Sequence, residues 1–355
     1  MKHWRHWATA VVLLAFAAAA FAHRQELSEA VRQIGTLSLR WIAVLLIVVV
    51  VGIIAQGAFA TSVTPGLTLG QGISVQQATT AANNTIIGSG PVSTGLRIAM
   101  LRSWKVSDPA IGLTIVALNL VAEYTVWIVA LAVSLIGALR PNDGVVHPRI
   151  YGVVILVAVV VLLASTVLWW LLLSRPTSSR WLAMRAQRLW NAVRRRFRRL
   201  PDLNLIELAE QSRQGAHRLV HRRGARIVMC SMIDQSISIL KPVAVVRAFG
   251  ISSTELTTAN ILIAYGLIRL AVALTPIPGG LGITEFGLAT LLTRFGGPST
   301  TVLAAVLTYR AMTFVLPIFT GAVCLTIWRW SLRSQTSEAS NRADENATNL
   351  ATTDL

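Results

Sequence analysis

The sequence has little acid and almost no lysine. Fifteen Asp and Glu residues stand against 32 Lys and Arg, and only Lys2, Lys105 and Lys241 are lysine. Charged residues make up 13% of the chain, about half of the roughly 25% found in soluble domains. That is too little charge to cover the surface of a soluble protein of 355 residues. The two cysteines, Cys230 and Cys324, lie in apolar runs and read as small core side chains, which excludes a disulfide scaffold. The six histidines are scattered. His217 and His221 are one helical turn apart, but no further ligand type gathers near them, so no metal site is expected. "GSGPVSTG" lacks the Gly-Lys-Ser/Thr ending of a phosphate loop, so no bound nucleotide is expected. No triad, metal cluster or paired-acid motif appears. The chain is read as a non-enzyme without a cofactor.

What the sequence does have is long apolar runs. Hydrophobic residues are 54% of the chain. "WATAVVLLAFAAAAFA" (7–22) follows a basic start. It reads as a retained first span or as a secretion signal ending in an A-x-A-like site, and retention is adopted here. Further spans are expected at 41–60, 110–139 and 150–173. The stretch 61–108 is mixed and polar, with only short apolar pieces. Apolar segments return at 227–248, 258–275, 281–295 and 300–328. The expected fold is an all-α polytopic membrane protein with about six to eight transmembrane helices. Two of its helices are expected to be broken or re-entrant, in pseudo-repeated halves. Residues 1–173 and 227–330 form the membrane halves. Residues 174–226 form a basic loop, and 331–355 a polar tail without a core.

The net charge of +17 would suggest nucleic acid in a soluble protein. Beside membrane spans it signals a cytoplasmic loop facing anionic lipid instead, and no nucleic-acid partner is expected. The loop 174–226 holds fourteen arginines against Asp202, Glu207 and Glu210. It and the C-terminus are therefore placed in the cytoplasm. Within it, "RWLAMRAQRLWNAVRRRFRRL" puts Leu182, Ala186, Leu189, Val193, Phe197 and Leu200 at steps of three and four. Arg185, Arg188, Arg195, Arg196 and Arg199 take the other faces, which suits a helix lying on the membrane surface.

The most informative stretch is "LTPIPGGLGITEF" (274–286), where Pro276 and Pro278 interrupt an otherwise helical region. In lipid an unpaired backbone group costs several kcal/mol, so a break there needs a reason. A weaker counterpart surrounds Gly88, Gly90 and Pro91. An offset of 191 places Gly88 on Gly279, Leu101 on Leu292, Trp104 on Phe295 and Asp108 on Ser299. Paired breaks in corresponding halves point to a transporter's binding site. Half-helix ends can hold anionic groups there. The candidate substrate contacts are Gly279, Gly280, Gly282, Glu285, Arg269 and Arg310, with Arg97 from the first break. Ionisable groups at bilayer depth cost about 2.5–3.5 kcal/mol on insertion scales and are site candidates by default. Lys241 and Arg247 are expected to snorkel from the end of their span.

"TPIPGGLGITEFGL", followed by "LTYRAMTFVLPIFTGAV", resembles the lysylphosphatidylglycerol synthase transmembrane region, a flippase-like family. Its members carry Pro-x-x-Gly-Gly-x-Gly-x-x-Glu before a span holding Tyr-Arg. Pro276, Gly279, Gly280, Gly282, Glu285, Tyr309 and Arg310 match residue by residue. The first half departs from the common pattern: Thr94 and Gly95 stand where many members have Gly-Glu. The resemblance implies a multi-pass protein of a bacterial cytoplasmic membrane that moves a phospholipid or polyprenyl-linked lipid between leaflets. Membrane lipids would be its partners. In relatives a soluble aminoacyl-transferase domain follows the membrane part, whereas here 25 residues follow Trp330. The chain is therefore not expected to synthesise the lipid. The alternative is a non-transporting accessory subunit, docked through the 174–226 loop onto a cell-envelope enzyme that modifies lipid or glycan.

Overall fold

A computed structural model describes residues 32–86, 90–139, 147–174, 205–275 and 277–332, together with Glu29, Met184 and Gln187. Among these the secondary structure is helical and no strand occurs. Helix α1 is Leu39–Val63 and α2 is Leu69–Thr85. Helix α3 is Gly90–Ser103, α4 is Asp108–Ala138 and α5 is Pro148–Ser174. Helix α6 is Leu205–Ala248 and α7 is Thr258–Ala273. A 3-10 turn at Pro278–Gly280 leads into α8, Ile283–Arg294. Helix α9 runs over Ser299–Leu332, with a π-helical turn at Ala311–Val315. Among the described residues, five helices are long and apolar enough to span a bilayer: α1, α4, Pro148–Val167 of α5, Arg222–Ala248 of α6, and α9. At about 1.5 Å per residue each covers roughly the 30 Å of hydrocarbon. Residues 7–22 and the tail lie outside the described residues.

The stretch 61–108 is mixed and polar, yet most of it is helical. It folds as a helical hairpin, α2 and α3. Thr68 starts α2 with a capping box: its Oγ accepts from the Gln71 N–H, while the Gln71 side chain accepts from the Thr68 N–H. Both orphan donors are thereby satisfied. Gly57 of α1 and Gly72 of α2 cross closely, and a Cβ on Gly72 would lie 2.6 Å from the Gly57 carbonyl oxygen. Lipid offers no hydrophobic drive between helices, so small residues that permit close backbone contact hold such pairs together. Gln77 and Thr79 of α2 are buried against protein, which is why α2 does not need an apolar sequence.

The second half repeats this order. Helices α7 and α8 form the second hairpin, and α7 starts on Thr257, whose side chain accepts from the Asn260 N–H. The ends of α3 and α8, Ser103 and Arg294, lie 191 residues apart, as do the starts of α4 and α9, Asp108 and Ser299. The matching turns each carry a residue with positive φ. Lys105 has φ 59° and its counterpart Gly296 has φ 106°. Replacing exposed Lys105 with glycine should therefore stabilise the protein slightly. Left-handed strain of about 1–2 kcal/mol is relieved, against roughly 0.5–1 kcal/mol from glycine's freer unfolded chain. A thermal scan in detergent should show a small rise in Tm. A fall would count against strain at this turn.

The two halves are inverted. Gly52 of α1 faces Ile237 and Lys241 of α6, while Phe59 and Val63 cluster with Ile227 and Cys230. Helices α1 and α6 thus run antiparallel. Each hairpin follows the C-terminal end of its helix, so the two hairpins enter from opposite ends. The unpaired helix α5 provides the extra crossing that reverses the second half. The halves interlock through small residues: Gly266 of α7 lies against Val133 of α4, and Gly321 of α9 against Gln77 and Ala81 of α2.

Candidate functional site

The hairpin tips meet inside the protein. Asn84, at the end of α2, donates to the Phe314 carbonyl at 3.2 Å. A Cβ on Gly279 would lie 2.5 Å from the Phe314 ring and 3.2 Å from Asn84 Oδ1. Phe314 belongs to the π turn of α9. Such turns widen the helix and leave backbone groups off register, frequently at functional sites. Here the first hairpin supplies a donor to one of those carbonyls.

Gly279, Gly280 and Gly282 all have positive φ, at 56°, 64° and 82°. This backbone turns the chain into α8 so that Glu285, in its first turn, reaches back. Glu285 Oε2 accepts from the Gly282 N–H at 2.7 Å. Its Oε1 accepts from Arg310 Nε at 2.7 Å. Glu285 and Arg310 therefore form the expected pair, buried beyond nine-tenths on both sides. The Arg310 guanidinium also lies 4.6 Å from the centre of the Phe314 ring, a cation–π contact. Its Nη2 is buried and has no hydrogen-bond partner. An unpaired charged donor at this depth costs more than a neutral one, so the geometry suits an acceptor that arrives with a ligand.

Arg310 and Arg269 line one cavity of about 230 Å³, together with Asn84, Gly279, Tyr265 and Tyr309. Arg269 Nη1 donates to the Tyr265 hydroxyl at 2.8 Å and its Nη2 to Gln235 Oε1 of α6 at 3.3 Å. Tyr265 and Tyr309 pack edge to face, 6.3 Å between centres. A second cavity of about 190 Å³ shares Tyr265, Tyr309 and Thr313 with the first. Lys241 lines it.

Three of the charged candidates, Arg269, Glu285 and Arg310, are thus brought together, with Gly279 on the cavity wall. Arg97 is not. It sits in the first hairpin, where its Nη2 donates to Gln76 Oε1 and Thr79 Oγ of α2. Gly90 and Pro91 open α3, where proline is tolerated because the first turn has no helical donor role. Pro278 opens the 3-10 turn. Gly88, Pro276 and the surface arginines Arg185, Arg188, Arg195, Arg196 and Arg199 lie outside the described residues. Much of the docking surface of the accessory-subunit alternative lies there too.

The snorkelling expected of Lys241 and Arg247 is corrected. Lys241 Nζ would lie 3.3 Å from a Cβ on Gly52, so it turns inward onto α1. Arg247 closes the loop after α6, donating to the Ile251 and Leu256 carbonyls and to Thr258. In that loop the Ser252 N–H and hydroxyl hold the exposed Glu255 carboxyl below its usual range. Sequence reasoning missed Asn84, Gln77 and Tyr265. Amides in a helix at membrane depth were the available signal.

Compared with known proteins, residues 7–321 match a family model described as the Lysylphosphatidylglycerol synthase TM region. No curated protein matches the chain.

Proposed function

The chain belongs to the Lysylphosphatidylglycerol synthase TM region family, and on that premise we propose that this integral membrane protein is a flippase-like translocase of a phospholipid or polyprenyl-linked lipid. One observation carries the reading. Arg310, buried between the tips of two inverted hairpins, lines a cavity and keeps an unpartnered N–H. Substrate sites of transporters built from inverted repeats lie at such meeting points of broken helices. A guanidinium suits a phosphate oxygen there. The basic loop 174–226 is assigned to the cytoplasm by its arginines, and the tail with it. On that assignment the protein sits in a bacterial cytoplasmic membrane. The first hairpin then opens toward the cytoplasm and the second toward the outer face.

A leaflet-resolved lipid assay in proteoliposomes tests the proposal. Arg269→Gln and the paired change Glu285→Gln/Arg310→Gln should each slow the movement of a fluorescent phospholipid at least tenfold. That corresponds to about 1.4 kcal/mol for a lost charge-assisted contact. The paired change neutralises both partners, so no lone charge is left buried. Unchanged rates in monodisperse protein would sink the assignment.

A further inference from the structure

The two cavities also say what kind of headgroup fits, an inference that rests on the lipid-binding reading of the same site. Their linings are chemically one-sided. Arg269 and Arg310 line the first and Lys241 the second, and among the described residues no carboxylate lines either. Glu285 is behind the wall, both of its oxygens committed to Arg310 and Gly282. Asp234 acts electrostatically on Lys241 and Arg269, but it too is absent from the linings. An ammonium group entering here would meet three cations on the walls, while the two nearby acids, Glu285 and Asp234, already hold partners.

The second cavity is lined largely by neutral hydrogen-bonding groups. Gln77 Nε2 donates to Gln56 Oε1 at 3.1 Å, and the Thr320 hydroxyl donates to Gln77 Oε1 at 2.8 Å. Gln77 is only 2% exposed, so this network is fixed rather than adaptable. Thr80 and Ser238 add hydroxyls to the same wall. Pro242 lies inside α6 and has no N–H, so the Ser238 carbonyl loses its usual helical donor. The cavity thus offers donors and acceptors, with one ammonium.

We infer that the two adjoining cavities together take a phosphate headgroup that is anionic and bears hydroxyls, and that they reject an aminoacylated one. The phosphate lies at Arg269 and Arg310. The hydroxylated end, a glycerol or sugar, passes Tyr265 and Tyr309 to the cavity beside Lys241. Neutral polyols find partners among amides and hydroxyls, and rejecting a ligand by leaving its charge unpaired is an effective source of specificity. The preference runs against what the family's description would suggest, because a lysyl headgroup adds two ammonium groups.

Short-chain lipids and the purified chain in detergent separate the possibilities, read by native mass spectrometry without any transport step. The probes are dioctanoyl phosphatidylglycerol, phosphatidic acid and lysylphosphatidylglycerol. Phosphatidylglycerol should bind at least tenfold tighter than the lysyl lipid, and several-fold tighter than phosphatidic acid, which is anionic but lacks the polyol. Thr80→Val/Ser238→Ala should narrow the gap between phosphatidylglycerol and phosphatidic acid while leaving phosphatidic acid unchanged. Lys241→Gln should narrow the gap to the lysyl lipid. Equal or tighter binding of the lysyl lipid would overturn the inference, as would a phosphatidylglycerol preference that survives both variants. Binding that follows the expected order in a protein that moves no lipid would sink the translocase reading and leave this one standing.

Discussion

Replacing Arg310 with alanine is expected to lower the stability of the protein by roughly 3–5 kcal/mol, the usual cost of stranding one partner of a buried pair. Glu285 is 9% exposed and Arg310 8%, so water cannot compensate for the loss. The carboxylate would keep only its bond to the Gly282 N–H. The double change Glu285→Gln/Arg310→Met should recover most of that stability, because no charge then remains buried. A double-mutant cycle, read by SDS titration of the protein in mixed micelles, should give a coupling well above 1 kcal/mol. Additive single-variant effects would show that the 2.7 Å pair does not hold the second hairpin in place.

Gly279→Ala should be nearly as damaging, for a different reason. Its φ of 56° costs a non-glycine residue about 1–2 kcal/mol. The added methyl would also lie 2.5 Å from Phe314, and overpacking typically adds roughly 1–3 kcal/mol. Gly282→Ala is the control. It meets nothing within 4 Å, so only a conformational cost is lost there, although its φ 82° and ψ −49° make a γ-turn-like backbone rather than the αL one of Gly279. Phe314→Leu in the Gly279→Ala background should return part of the packing cost. A Gly279→Ala loss that Phe314→Leu leaves unchanged in a thermal-unfolding series would rule out the contact with Phe314 as its cause.

Much of this architecture was legible in the sequence, for identifiable reasons. Apolar runs of span length read directly as helices, because a bilayer sets both their composition and their length. The break at Pro276–Gly282 stood out because glycine and proline are costly inside a span. The pairing of Glu285 with Arg310 followed from the cost of leaving either charge alone in lipid. The first hairpin was harder. Helix α2, "LGQGISVQQATTAANNT", is polar because Gln77 and Thr79 bury against protein rather than lipid, so hydropathy gives no sign of it. Asn84 was missed for the same reason, since its partner is a backbone carbonyl 230 residues away. The π turn after Arg310 also left no trace, being a matter of register rather than composition. Helix α6 begins at Leu205 and runs unbroken to Ala248, because the arginines of its N-terminal half, from Arg213 to Arg226, do not oppose a helix. They oppose only its burial in lipid.

The inverted halves carry a further consequence. Opening alternately to each side would require the first half to take the shape now held by the second, and the reverse. The halves share the order and spacing that such an exchange would need, in the coincident ends of α3 and α8 and the positive-φ turns at Lys105 and Gly296. The latches do not match. One tip is fastened by a carboxylate and a guanidinium, while Thr94 stands where its mirror image would need the acid. On the translocase proposal the two shapes would therefore differ in energy, and the protein would have a resting side. The asymmetry that would set that side lies in one ion pair rather than in the order of the helices.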